Sequence, residues 1–383
     1  MSYTVYRDVQ SLAPVIAEFK ARISAPLATR FAGICGFDGF VDTFVRLQTP
    51  PSMAEFGSKV AAAAGVAASY PVQHGGDKFG GNGPLLSAAL NDIYAGQIDV
   101  AYIGALGEKE VLPIFQSALS AKTRRLYTLG RAAQTTCLEF TDGKVMLNDM
   151  SACAEITWDR LCERINPKSL DQELKSAHFI AAVNWGKLPH AGEIWSQMAA
   201  RLGQLGVAAK RVICFMDLAD FDIRPMADRT DLLGRLGAIT NQCHTLLSLN
   251  LREAWQLAEV FGGEFHSRKD AEAVAEIAAY LKARVAVDRI IVHPNNGAAC
   301  SSATGTVYVP GAHCANPLIS TGAGDNFGAG CLAAALRGLD DEGIVLSGNC
   351  AGGHFVRSGR SASFADMAKF LDGWSAGTLR ERL

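Results

Sequence analysis

Gly322-Ala323-Gly324-Asp325 lies inside the stretch from Ser320 to Phe327 and sets two glycines and a carboxylate just ahead of a small-residue run, Gly328–Leu336. Glycine lets the backbone turn tightly and come close to a ligand. Amides at the opening of a helix are unpaired donors with partial positive charge, so the turn suits an anion. A carboxylate inside such a turn fits one chemistry well, which is to take the proton of a hydroxyl that attacks a bound phosphoryl group. The plain alternative is that an acid in the first turn of a helix stabilises its dipole.

Three further segments carry residues that could do chemistry. Gly75 to Pro84, with Gly80, Gly81 and Asn82 inside it, reads as a bare-backbone loop that something polar approaches, opening a helix over Leu85–Ile93. A flexible connection ending in a proline-started helix is the alternative. Asp38 and Asp42 stand at the carboxyl end of the first expected strand, where parallel sheets hold ligands, and their carboxylates suit sugar hydroxyls. For Asp38 an Asx-turn or a cap is the competing account. Asn250-Leu-Arg-Glu253 follows another strand and reads as an N-cap with its capping box, or as a pair that holds hydrated magnesium beside a nucleotide. His293 and His313 have no partners at ligand spacing and read as structural.

These residues need a scaffold, and the apolar pattern predicts one. Short β-branched runs at Ala32–Phe37, Val100–Gly104, Phe179–Val183, Val212–Met216, Thr245–Leu249 and Ile290–His293 alternate with helical stretches at Leu85–Ile93, Gly192–Leu202, Arg252–Phe261 and Ala271–Arg284. That alternation predicts an α/β fold with a mostly parallel sheet covered on both faces. Ala298–Ser302 and Thr306–Val309 flank a glycine turn and predict a hairpin. Thr135–Phe140 and Lys144–Leu147 flank Thr141-Asp142-Gly143, a second hairpin whose alternation suits a half-exposed sheet. This hairpin is read as part of a small β-lid drawn from about 41–74 and 132–150, on one domain spanning 1–383; an ordinary edge hairpin is the alternative.

Composition excludes several classes. The 383 residues are 49% hydrophobic with a net charge of −2, enough for a large core and without the basic patch that nucleic acid or an acidic membrane would need. Ten cysteines are scattered with no CxxC pair and no zinc-finger spacing, which predicts reduced core thiols. No apolar leader or membrane-length run is present, so a cytoplasmic protein is expected. There is no P-loop sequence, and Gly33-Ile-Cys-Gly36 is not followed by the glycine-opened helix of a dinucleotide site, so a dehydrogenase lacks its fingerprint.

Taken in order along the chain, these segments resemble the PfkB carbohydrate kinase (ribokinase-like) family from about Ala32 to Ser363. Ser320 to Phe327 is similar to its C-terminal signature, Gly80-Gly81-Asn82 more loosely to its N-terminal glycine pair, and Asn250-x-x-Glu253 to its Asn-x-x-Glu motif. The resemblance implies a Rossmann-like three-layer sandwich with a β-lid, and transfer of the ATP γ-phosphoryl group to a hydroxyl of a sugar or sugar-like molecule. It implies Asp325 as base, the amides of Gly322, Ala323 and Gly324 as anion hole, and Asn250 and Glu253 organising Mg2+ through water. Asp42, Gly80 and Gly81, with Asp38 and Asn82, would hold the substrate, Asn349 would lie near the adenine, and the lid offers a homodimer surface. Ile319 replaces the acid that often supports a monovalent cation, and Val292-His293-Pro294-Asn295 lacks the usual Thr-x-Gly nucleotide contact. Two other readings stay open. Phe37, Phe40 and Phe44 would line a pocket for a nucleoside or vitamin alcohol, and the two departures would suit a non-catalytic sugar or nucleotide sensor.

Overall fold

The computed structural model describes residues 3–49, 52–266 and 268–383. Met1 and Ser2 of the N-terminal reading, and Pro50 and Pro51 of the 41–74 stretch, lie outside the described residues. The larger sheet runs from one edge through Tyr3–Val5, Gly305–Pro310, Gly297–Ser302, Arg289–His293 and His244–Asn250. It continues through Ile213–Asp217, Phe179–Val183, Phe31–Phe37, Ile98–Gly104 and Arg125–Thr128. Pairing is parallel except where Gly297–Ser302, half of the predicted hairpin, meets its two neighbours. All six predicted buried strands are present, with ends shifted by no more than two residues.

Strand side chains alternate between faces, so each strand of a covered sheet feeds two cores. In Phe179–Val183, Phe179, Ala181 and Val183 enter one core while Ile180 and Ala182 enter the other. The first core also takes Leu86, Leu90 and Ile93 from the helix Asn82–Ile93, and Ala329, Leu332 and Ala333 from the helix Ala323–Leu336. The second takes Ile194, Trp195 and Met198 from the helix Ala191–Gln204. Three layers result, as the alternation of apolar runs requires. All ten cysteines are unpaired, and burial pushes thiols such as Cys35 and Cys153 up to about 12, which keeps them protonated and inert. Among the described residues no helix is long and apolar enough to cross a membrane.

A second sheet of four strands, in the order Val72–Gly80, Phe40–Leu47, Ala133–Glu139 and Lys144–Asp149, stands over one end of the first. The hairpin predicted around Asp142-Gly143 forms its last two strands. The glycine run is a correction to the sequence reading, because Val72–Gly80 is an edge strand rather than a loop. Its apolar alternation is erased by exposure and by a β-bulge where Phe44 and Val45 meet Gly76 and His74, with Gly75 as the extra residue. Only Gly81 separates this strand from the helix Asn82–Ile93.

Candidate active site

The parallel strands all end on the same side, and their carboxyl ends deliver polar residues to one cavity of about 550 Å³. Asn184 and Lys187 follow the strand Phe179–Val183, Asp217 ends Ile213–Asp217, Asn250 ends His244–Asn250, and His293 ends Arg289–His293. The four-stranded sheet adds Asp42 and Thr135 from above. Gly322, Gly324 and Asp325 enter from the opening of the helix Ala323–Leu336.

Gly322 caps that helix with φ of 93°, a left-handed conformation that side chains disfavour. The turn it makes leaves the Gly322 and Gly324 amides without acceptors among the described residues, whereas the Ala323 amide donates to the Ser320 carbonyl at 3.1 Å. Ala323 is therefore removed from the predicted anion hole, because its donor closes the turn itself. Asp325 accepts a 2.8 Å hydrogen bond from the Asn82 side-chain amide. Burial, and after it the Asp217 carboxylate, push the Asp325 carboxyl well above the usual carboxylate range.

Two more acids share this strain. Burial lifts Asp217 to about 6, against a 2.8 Å hydrogen bond from the Ala219 amide. Burial and then Asp217 raise Glu253 well above its ordinary value. The capping box expected at Asn250 is present: Glu253 Oε2 accepts from the Asn250 backbone at 2.8 Å, and Asn250 Oδ1 accepts from the Glu253 backbone at 3.0 Å. Both residues also line the cavity, so the cap does not exclude a ligand role. All three are raised chiefly by burial, and the Asp217 carboxylate adds to the shift of the other two. Among the described residues no three histidine, cysteine or acidic side chains converge tightly enough to grip a metal directly. An all-oxygen set of this kind fits a hard cation held through its waters, as magnesium prefers. Cations are present as well: Lys187 stands 3.5 Å from Asp220, and Lys144 of the upper sheet contacts the Thr321 hydroxyl beside the glycine turn.

Asp42 is raised by burial, opposed by the Thr135 hydroxyl and by Lys144. Gly80 is bare for a reason, since a Cβ there would fall 2.3 Å from Asp42 Oδ2. Gly80 itself stays off the cavity, while Gly81 and Asn82 line it. Asp38, predicted to meet substrate, is fully buried and off the cavity. Its carboxylate takes the Asn82 and Gly83 backbone amides, each at 2.8 Å, and the Asn184 side-chain amide at 2.5 Å. It is a cap supplied from 44 positions upstream, and it starts the helix at Asn82 rather than Leu85. Asn349 is likewise absent from the cavity, because its amide donates to the carbonyls of Val309 at 3.0 Å and Pro310 at 3.2 Å.

Of the three phenylalanines, only Phe40 lines the cavity; Phe37 is core and Phe44 lies under the Lys78 ammonium. The aromatic acceptor pocket that they would have formed is not assembled. His293, read as structural, instead lines the cavity, stacked on Phe327 with centroids 4.3 Å apart, and burial lowers it to about 4 so that it is neutral. Sequence reasoning missed Asn184, Lys187, Asp217 and Lys144. The first three each sit at or just past the carboxyl end of a correctly predicted strand. Applying the strand-end rule to every strand, rather than to the first alone, would have found them.

Known proteins share the architecture that carries this cavity. A family model described as prokaryotic ketohexokinase matches residues 28–374. A curated ketohexokinase from Haloferax volcanii is 22% identical over 354 residues, covering 88% of this chain and 90% of that protein. Ribokinase from Arabidopsis thaliana, solved in complex with ribose and ATP, shares the fold with a TM-score of 0.63 at 17% identity, over 90% of this chain and 99% of the other. A phosphofructokinase-2 mutant from Escherichia coli matches with a TM-score of 0.63 at 15% identity, over 91% of this chain and 99% of the other. The three-layer architecture described above is the ribokinase fold.

Proposed function

This chain belongs to the prokaryotic ketohexokinase family and is a carbohydrate kinase, and from that premise we propose that it transfers the γ-phosphoryl group of ATP to a hydroxyl of a ketohexose, with Asp325 as general base. The observation that carries this reading is a convergence: one cavity holds the Asp325 carboxylate, the free Gly322 and Gly324 amides and the hydroxyl-accepting Asp42. The acceptor hydroxyl gives its proton to Asp325 as its oxygen bonds to the γ-phosphorus. The bond from that phosphorus to the bridging oxygen breaks, and ADP leaves with the electron pair. The two fixed amides stabilise the charge that gathers on the transferred group, and they do so without having to reorganise. Lys187 adds a positive charge to the same cavity.

Magnesium accompanying the nucleotide supplies neutralising charge when bound. Asp217, Glu253 and Asn250 would hold its waters, and the presence of all three oxygen-bearing side chains on the wall of one cavity supports that role. Ile319 offers no carboxylate to a monovalent cation, and we assign none to the site. We read the four-stranded sheet as a lid. Its Lys144 contact to Thr321 ties it to the anion turn, which would exclude water from the transferring group.

A phosphotransfer screen with ATP and magnesium tests the acceptor. Ketohexoses should turn over with kcat/KM at least about tenfold above aldohexoses, pentoses and nucleosides, the discrimination that one unmatched hydroxyl position brings. Faster turnover of a nucleoside would replace the acceptor in this reading, and binding without turnover across the panel would favour a sensor.

A further inference from the structure

After its last helix, Phe364–Ser375, the chain folds back on itself. Gly377 turns with φ of 68°, in the left-handed region that suits glycine, and the Thr378 amide closes the turn on the Gly373 carbonyl at 2.8 Å. The tail is then tied twice to Arg357, in the last turn of the helix Asp341–Ser358. The Arg380 carbonyl accepts from Arg357 Nε at 3.2 Å, and the Leu383 amide donates to the Arg357 carbonyl at 3.3 Å. Tail and helices together enclose a second cavity, of about 440 Å³. Its charge is the reverse of the first, which five acids and one lysine line. Here Arg360, Lys369, Arg380 and Arg382 stand beside one acidic side chain, Asp366. That acid is taken, by Arg360 at 3.2 Å and by the Ser363 amide at 3.0 Å. Among the described residues the side-chain charges of Lys369, Arg380 and Arg382 have no ion-pair partner. On a molecule of net charge −2, three unanswered cations on one concave wall concentrate small anions there. A fourth charge lies behind that wall. Arg357 is 2% exposed, sits 5.5 Å from the cavity-lining Phe370 ring, and donates only to the backbone carbonyls of Gly353, Ala312, His313 and Arg380. A buried guanidinium with no carboxylate in contact is uncommon, and it adds to the positive field of the cavity.

We propose that this second cavity binds a small metabolite carrying two phosphate groups, and that its occupancy is felt at the glycine turn of the active site. Charge sets the ligand class. A phosphate monoester carries about −1.5 to −2 at neutral pH, so one group leaves cations over and two answer Lys369, Arg380 and Arg382. The planar forks of the two arginines suit phosphate oxygens taken in pairs. The coupling follows from the tail's other contacts. Glu381, between the two arginines, accepts from the Asn316 amide at 3.1 Å and from the Cys314 thiol at 3.3 Å. Arg357 holds the Ala312 and His313 carbonyls, and the Leu318 amide donates to the neighbouring Val356 carbonyl at 2.7 Å. All of these belong to the segment that runs into Ser320 and Gly322. A ligand that grips Arg380 and Arg382 fixes the strap, and the strap fixes the approach to the anion turn, so a nucleotide meets a turn already in order. The binding site does not rest on the kinase reading above; the coupling does.

The test is calorimetric titration of the full-length protein, its active site filled with a ketohexose, magnesium and a non-hydrolysable ATP analogue. The probes are a ketohexose bisphosphate, a nucleoside diphosphate and a ketohexose monophosphate, the first two separating the sources of a paired phosphate. One of those two should bind once per chain, at least about tenfold tighter than the monophosphate. The triple variant Lys369→Ala, Arg380→Ala, Arg382→Ala should lose about tenfold or more of that affinity. All three side chains are exposed, and the strap uses the Arg380 carbonyl rather than its guanidinium, so the variant keeps the fold. No binding with the active site filled, or equal binding by the variant, would overturn the site. A monophosphate that binds as tightly would overturn the ligand class. For the coupling, the Kd of the ATP analogue should fall by about threefold or more when the better probe is bound. Glu381→Gln should abolish that fall while the probe still binds. An unchanged Kd would overturn the coupling, and so would a raised one, the mark of the probe competing at the active site. An ATP analogue that never binds would remove the kinase reading and the coupling with it, while the first titration still decides the site.

Discussion

Asp325 is an acid kept in a place that resists its charge. Burial comes first among the causes and the Asp217 carboxylate second, and both lift its carboxyl. A base must be deprotonated to work, so kcat/KM should rise with pH along an acid limb set by this group and its coupled neighbours. Asp217→Asn removes the negative charge that raises Asp325 and should move that limb to lower pH, read from a pH profile of kcat/KM. A limb unmoved, or moved upward, would mean that Asp217 does not act on the base. The same shift has a sign for stability. A carboxyl raised above its unfolded value favours folding below the unfolded pKa, and that contribution is lost as pH rises through the folded value. An ionised Asp325 is therefore a liability to the fold, the trade expected where a buried acid is kept for activity. At this scale the sequence pointed to residues that line the cavity where chemistry and spacing coincide, as at Asp325, Asp42 and the Asn250–Glu253 cap. It was not legible where one residue serves another across the fold. Nothing local marks Asp38 as the cap of a helix 44 positions on, or Ala323 as the donor that closes its own turn.

The elements divide in the same way. Buried strands were readable because a short apolar run bounded by helical stretches fits little besides a strand covered on both faces. Val72–Gly80 was misread because an exposed edge strand rich in glycine has no apolar period and carries a bulge. The four-stranded sheet that contains it leaves large apolar side chains in solvent, among them Val72 and Leu147, each more than half exposed. Its outer strands, Val72–Gly80 and Lys144–Asp149, each pair on one side only. Open edges and exposed apolar residues together favour association, and we propose that two copies of this chain meet through the lid. Light scattering at micromolar concentration should give a dimer for the wild type and a monomer for Leu147→Lys. A monomeric wild type would dismiss the interface.

At the scale of the molecule, a mostly parallel sheet collects single residues from strands far apart in sequence along one line of carboxyl ends. The smaller sheet then sets Asp42 and Lys144 opposite the glycine turn. The larger, mostly parallel sheet was legible from pattern, whereas the smaller sheet was legible only in its hairpin. The composition of the site was half legible, since Asn184, Lys187 and Asp217 belong to it through position rather than motif. In the proposed mechanism Asp325 is the group that takes the acceptor proton. The most direct test is the single-turnover rate of phosphoryl transfer from ATP to the preferred ketohexose in Asp325→Asn. Acceptor affinity and the melting temperature are measured on the same sample. The rate should fall by about 10³-fold or more, with acceptor binding within about threefold and a melting temperature no lower than that of the wild type. A variant that transfers phosphoryl at a rate near the wild type's would contradict the account.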